Sequence, residues 1–429
     1  MKSKLGVIIL LCMFVIVAAT ACSNEDDSAS EGGVTINWWS MFHENEAQAE
    51  VYQRAIARYE AATGNTVNVT WMGRDVRLTL RTAIDSGEPI DIIENSPDWL
   101  YPTFGTEALL PLDDYLDMVF PTTGGQTFGE TIISSYLDFA RTYADSGRVY
   151  FIPQQPAVAA MFYNRAIFRE AGITSQPTTW AEFLDVAQRL SDAGYDVATI
   201  DNAYRFSLFG AYLAMLGGQE FAYAVDADES GEMWGDPAVL QIAQAFEEMA
   251  SRGFLSSTAP ANIWPAGQQE FAIGLTAIYL INGSWFPSEV AETAGPDFEW
   301  GAMGFPALPG SADPNTTIQF ISQGFAISAN SEHPDEAAEL IAFLLDVETQ
   351  QDMVDTASAI PATYGVNWPS ELAGIQAMLN NMTGSHTIWG GMSTPDVTAA
   401  LSTNLGLLFA GNINADEFVA NMIADTRRN

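Results

Sequence analysis

The stretch "VTINWWSMFHENEAQAEVYQRAIARYEAATGNTVNVTWM", residues 34–72, decides the fold class. "VTINWW" is short and apolar with β-branched residues at its start, so it reads as a strand. In "NEAQAEVYQRAIARYEAATG", Ala47, Val51, Ala55, Tyr59 and Ala62 fall near one helical stripe, and Gly64 is a natural stop. "NTVNVTWM" then alternates Val67, Val69 and Trp71 with polar neighbours, which is the period of a strand. The pattern continues: "VRLTLRTAIDSG" (76–87) predicts a helix and "IDII" (90–93) a short buried strand. A β-α-β-α-β order predicts an α/β protein, its sheet starting parallel and covered by helices.

Such sheets bind ligands beyond the carboxyl ends of their strands, where the strand order reverses. With a flavodoxin-like order, that point lies between the first and third strands, whose ends are "WWS" (38–40) and "ENSPDW" (94–99). Neighbouring strand residues face opposite sides, so Trp38 and Trp39 diverge. Trp39 is expected at the crevice, with two core tryptophans as the alternative. Asn95 and Asp98, past the third strand, are expected to face it.

The first 22 residues have the layout of an export signal: Lys2 and Lys4, an apolar run from Leu5 to Val17, and small residues before Cys22. That run is too short for a membrane-spanning helix. The stretch resembles a bacterial lipobox, with Ala19 in place of the usual leucine, which implies that Cys22 is acylated and anchors the protein to a membrane. "SNEDDSASEGG" (23–33) reads as a flexible tether. Cys12 leaves with the signal, so no disulfide is expected, and stability must come from burial. A chain of 429 residues, 48% hydrophobic, can bury more than one core.

The 54 acidic and 16 basic residues give a net charge of -38, and both lysines lie in the signal. This field repels nucleic acid and phosphorylated ligands unless arginines gather locally. It suits a solvated surface in a salty medium. Only His43, His333 and His386 are present, far apart in sequence, and no phosphate-binding glycine loop or nucleophile elbow occurs. Neither a metal nor a cofactor is expected.

Further on, "TTWAEFLDVAQRL" opens with Thr179 and Glu182 in capping-box spacing, and Pro334 in "HPDEAAELIAFLLDVETQ" suits a first helical position behind His333. Together "MFYNRAIFREAGITSQPTTWAEFLDVAQRL", "QQEFAIGLTAIYLINGSWFPSEV", "SQGFAISANSEHPDEAAELIAFLLDVETQQ" and "LLFAGNINADEFVANM" resemble the successive hallmarks of carbohydrate-type extracellular solute-binding proteins of ABC importers. The likeness spans essentially the whole exported chain. It implies a two-lobed, periplasmic-binding-protein-like fold of the maltose-binding type. Each lobe would be a mostly parallel sheet flanked by helices, with the ligand cleft between them. The first lobe would comprise about 34–152 and 303–358, the second about 157–300 and 362–429. Passages between them are expected near "FIPQQPA" (151–157), "MGFP" (303–306) and "AIPATYG" (359–365).

The resemblance implies that Trp285 in "INGSWF" stacks on a sugar ring, because the C–H face of a pyranose is apolar while its hydroxyl rim needs polar partners. Trp39 follows, with Asn95 and Asp98 as hydroxyl partners. Asn202, Arg205, Trp264, Gln323, Tyr364 and Trp389 are further candidates near the expected cleft. The function implied is non-catalytic capture of a neutral mono- or oligosaccharide by a monomer, and its delivery to the transmembrane subunits of an importer. The site would be outside the cytoplasmic membrane or in the periplasm. A secreted glycoside hydrolase and a receptor for a non-sugar solute such as glycerol phosphate are the alternatives.

Overall fold

The computed structural model describes residues 33–312, 317–387 and 394–427. The strands are β1 (Thr35–Ser40), β2 (Thr66–Trp71), β3 (Ile92–Asn95), β4 (Ile152–Asn164), β5 (Asp196–Thr199), β6 (Thr276–Gly283), β7 (Trp300–Met303), β8 (Thr317–Ile327) and β9 (Gly384–His386). They form one sheet in the order β2-β1-β3-β8-β4-β6-β5, with β7 paired to β4 and β9 to β8.

β1 runs parallel to both β2 and β3, so the 2-1-3 start and its switch point are present. Helix α1 (Ala47–Thr63) ends at Gly64, whose φ of 77° is left-handed, and α2 (Val76–Asp85) leads to β3. The core face of α1 is Ala49, Val51, Tyr52, Ala55, Ile56 and Tyr59, while Ala62 is exposed. The stripe is rotated from the one expected, because turning the tyrosines and isoleucine inward buries more apolar area. β3 runs through Asn95, so this residue is a buried strand position and does not lie beyond the strand.

Two long strands join the lobes. The 13 residues of β4 extend for about 40 Å. Its first half pairs antiparallel with β8, Ile152 opposite Phe325 and Ala157 opposite Ile321, and its second half pairs with β6 and β7. β8 also pairs with β3. One apolar cluster holds Trp38, Tyr52, Ile92 and Phe325 and continues along β4 to Phe271, Tyr279 and Phe286 on one face of the second lobe. A second cluster, with Phe183, Phe209, Tyr212, Trp234 and Phe418, fills that lobe's other face.

Residues 151–157 span the start of β4, where it pairs with β8 before turning to β6 and β7. At Met303–Pro306 the chain stays with the second lobe: Phe305 and Leu308 pack in its cluster and the Ala312 N–H donates to Met215 O. β8 itself makes the return. Residues 359–365 stay with the first lobe, since Ala362 O accepts from the Ile133 N–H and the Tyr364 N–H donates to Thr131 O. The second lobe is regained around Ser370–Leu372, against β7. Proline and glycine mark bends, but burial of residues such as Phe305 decides on which side of the cleft the chain remains.

The helix Trp180–Asp192 has the capping box of Thr179 and Glu182 and buries Trp180, Phe183, Leu184, Ala187 and Leu190. His333 occupies the N-cap of Pro334–Leu344 without a side-chain hydrogen bond, so proline placement alone starts that helix. Among the described residues no helix is long and apolar enough to cross a membrane, and no three His, Cys, Asp or Glu side chains are grouped to hold a metal.

Candidate ligand-binding cleft

A cavity of about 780 Å³ opens where the linking segments meet, bounded by Gln155–Ala157 of β4, Ile321 and Gln323 of β8, and Ala357–Ile360. The volume suits a small-molecule site, roughly 300–1,000 Å³. A second cavity, of about 580 Å³, is lined by Arg165, Phe298 and Trp300. Arg165 follows the last residue of β4, well away from Ala157, so this second space belongs to the far end of the second lobe.

The first-lobe wall is built from the segments that follow β1, β2 and β3. Helix α3 (Pro97–Phe104) begins with Pro97 at its first position and Asp98 in its first turn, where unpaired backbone N–H groups favour a carboxylate. Tyr143 donates its hydroxyl to Asp98 Oδ1 at 2.6 Å. Burial pushes the Asp98 carboxyl above its ordinary range, against the Tyr143 hydrogen bond and the attraction of Arg77. Arg77 donates Nε to Asn95 Oδ1 at 3.1 Å. Arg74 donates to Met41 O at 2.8 Å and Glu46 Oε1 at 2.7 Å and lies over the Phe42 ring.

Beneath this wall, Glu94 is wholly buried. It accepts from Ser40 Oγ at 2.6 Å, Met41 N at 3.3 Å and Gln154 Nε2 at 3.1 Å, tying the ends of β1 and β3 to the first linking strand. Burial raises its pKa to about 8, so at neutral pH it is largely protonated.

The second-lobe wall follows β6. Ser284, Trp285 and Ser288 line the cavity. The Trp285 side chain hydrogen-bonds Tyr204, which fixes the indole edge. Its six-membered ring lies over Gly283: a Cβ there would stand 2.3 Å from the ring. Asp201 accepts from Gly267 N, Gln268 N and Tyr279 Oη, holding the start of the neighbouring helix Ala266–Ala272.

Of the residues expected from sequence, Trp285, Asp98 and Gln323 line this cavity, Gln323 standing opposite Gln155 in the β4–β8 ladder. Trp39 is half-buried against the first-lobe core and is not among the lining residues, because the strand turns it to the face opposite Trp38. Asn95 is buried and touches the site only through Arg77. Arg205 is buried and spends its guanidinium on the carbonyls of Ala259, Pro260 and Ser402, a scaffold role. Asn202 Oδ1 accepts from the Trp264 N–H, and Trp264 is half-exposed outside the cavity. Tyr364 is half-exposed on the first lobe, its hydroxyl accepting from Ser134 N. Cys22 and Trp389 lie outside the described residues. Arg74, Arg77 and Glu94 were not anticipated; two arginines three positions apart just after a strand, in a chain so poor in cations, are the signal that could have found the first two.

The model of the bacterial extracellular solute-binding protein family matches residues 44–351. The chain belongs to that family. A binding protein of Brucella abortus is 24% identical over 355 residues, covering 78% of this chain and 79% of that protein. The multiple sugar-binding protein of Streptococcus mutans is 21% identical over 383 residues, covering 85% and 83%. The apo structure of RafE from Streptococcus pneumoniae superposes with a TM-score of 0.71 at 18% identity, covering 92% of this chain and 98% of that one. As an extracellular solute-binding protein the chain is exported, and the cleft between its lobes is the candidate solute site. Among the described lining residues Asp98 is the sole carboxylate, beside two arginines, two glutamines besides Gln323 and several serines. That set donates and accepts hydrogen bonds but supplies no carboxylate pair.

Proposed function

We propose that this solute-binding protein captures a mono- or oligosaccharide outside the cell and delivers it unaltered to the transmembrane subunits of an ABC importer. The observation that carries the reading is the pairing of walls. Trp285, its indole fixed by Tyr204 and Gly283, offers an aromatic surface from one lobe, while Asp98 offers hydroxyl-accepting oxygen from the other. Aromatic surface plus a few placed polar groups is what a sugar's two chemical faces require. A relative named for binding multiple sugars supports it.

Hydrolysis would need two carboxylates roughly 5–9.5 Å apart across the bond, and the described cleft lining has one. The linking strands β4 and β8 bear the hinge in this reading, with closure bringing Trp285 toward Asp98. The first lobe then takes β1–β3 and their helices, and the second β5–β7. The protein works as a monomer, tethered through residues 23–33 to an acylated Cys22 at the outer face of the membrane or in the periplasm.

Titration of the purified protein with a sugar panel, followed by tryptophan fluorescence and an assay for new reducing ends, tests the reading. A saturable spectral change with intact ligand is expected. Cleaved product would replace the receptor with an enzyme.

A further inference from the structure

Of the two arginines that line the cleft, Arg74 is ion-paired with Glu46 and Arg77 is not. Arg54, Arg58, Arg141, Arg148 and Arg169 each hold a carboxylate at the surface, and Arg205 is enclosed by backbone carbonyls. With 54 acidic residues against 16 basic ones most described arginines find an acid, while Arg165, Arg189 and Arg427, outside the cleft, do not. Arg77 has none within 4.0 Å among the described residues. Its Nε is anchored to Asn95 Oδ1, and Asn95 is itself fixed, buried and also accepting from Ser96 N at 2.9 Å. The anchor uses one donor and leaves the two Nη groups as a fork at the cleft.

The electrostatics of that position work against it. Burial and then the neighbouring Arg74 both weaken its hold on its proton, with only Asp98 acting the other way. Asp98 stands beyond 4.0 Å and makes no ion pair with Arg77, its Oδ1 accepting from Tyr143 instead. A desolvated cation beside another cation is stabilised by an anion brought from outside.

We propose that the captured saccharide carries a carboxylate, as a uronic-acid unit does, and that the Nη fork of Arg77 receives it. This rests on the carbohydrate reading above and replaces the neutral sugar expected from sequence with an anionic one. A planar fork meets a carboxylate through two parallel hydrogen bonds, stronger than those to neutral oxygen. Arg74 is already paired with Glu46, which leaves Arg77 as the lining cation without an ion pair. One carboxylate matches that single cation. A phosphate monoester, at about -1.5 to -2 near neutral pH, would overshoot it inside a protein of net charge -38. Asp98 then accepts ring hydroxyls and Trp285 covers the apolar face.

Calorimetric titration of the purified protein with galacturonic and glucuronic acids and their oligomers, the matching neutral sugars, succinate and glycerol 3-phosphate tests this. Uronates are expected to bind at least tenfold tighter than their neutral counterparts. Arg77→Gln should lose that tenfold preference while neutral-sugar affinity stays, Arg77→Lys should fall between, and Arg81→Gln should change nothing. Neutral sugars binding as well as uronates, or Arg77→Gln weakening both alike, overturns the carboxylate assignment and leaves sugar capture standing. Succinate or glycerol 3-phosphate binding with every saccharide ignored overturns both.

Discussion

The Tyr143 hydroxyl and Asp98 Oδ1, 2.6 Å apart, determine which carboxylate oxygen the cleft presents. Tyr143 is supplied from well downstream in the sequence and stacks on Tyr101, so the orientation of Asp98 depends on first-lobe packing as well as on α3.

That bond makes binding depend on pH in a defined direction. Asp98 accepts ligand hydroxyls more strongly when ionised, and its pKa is raised, so affinity should fall on acidification sooner than for an ordinary aspartate. The Tyr143 hydrogen bond opposes the rise, so Tyr143→Phe should move the acid limb to higher pH. Affinity measured across pH 4–8 in both proteins checks this; an unmoved limb would separate Asp98 from the ligand.

Gly283 and Trp285 form a coupled pair. A methyl at Gly283 would stand 2.3 Å from the indole, so Gly283→Ala should displace the ring and weaken saccharide binding about tenfold, about 1.4 kcal/mol. Trp285→Ala should cost at least as much with an unchanged circular dichroism spectrum. In the Trp285→Ala background the Gly283→Ala effect should vanish, since the ring it displaces is gone; additive losses would place the cause elsewhere.

Glu94 should shape stability against pH. Below pH 4.5 folded and unfolded chains both hold its proton; between 4.5 and about 8 the folded chain keeps a proton that the unfolded chain releases. Its contribution is therefore full below 4.5, declines as pH rises, by at most about 1.4 kcal/mol per unit, and is lost above the folded value. Denaturant midpoints from pH 5 to 9 should fall less steeply for Glu94→Gln than for the wild type. Parallel slopes would count against the buried carboxyl.

Cys22→Ser should release the exported protein from the membrane fraction into the medium or the soluble periplasm, with ligand affinity unchanged. Fractionation and immunoblotting read this directly, and retention of the variant on the membrane would rule out acylation at that residue.

Parts of the site were legible before the fold. Trp285 was placed by the family resemblance and Asp98 because it follows the third strand, whose end faces the crevice in this architecture; both line the cavity. Arg205 misled because an arginine in a polar loop looks available, whereas three backbone carbonyls from two distant segments enclose it. Trp39 misled because alternation states that two side chains part company but not which side borders the cleft. The pair Arg74 and Arg77 was visible as a spacing just after a strand, but that Arg77 alone of the two lacks an acid shows only in three dimensions.

The sequence by itself determined the α/β class, the β-α-β-α-β succession and the capped helices, since these follow from periodicity and turn chemistry within a few dozen residues; the 2-1-3 strand order was decided by pairing in three dimensions. Tertiary structure alone decided where the chain crosses between lobes, which faces of β4 and β8 border the cleft, and which polar groups remain unpaired there. Those outcomes depend on contacts between residues such as Glu94 and Gln154, or Tyr143 and Asp98, that are far apart in the chain. Their partners are selected by the burial of the whole sheet, which no short stretch encodes.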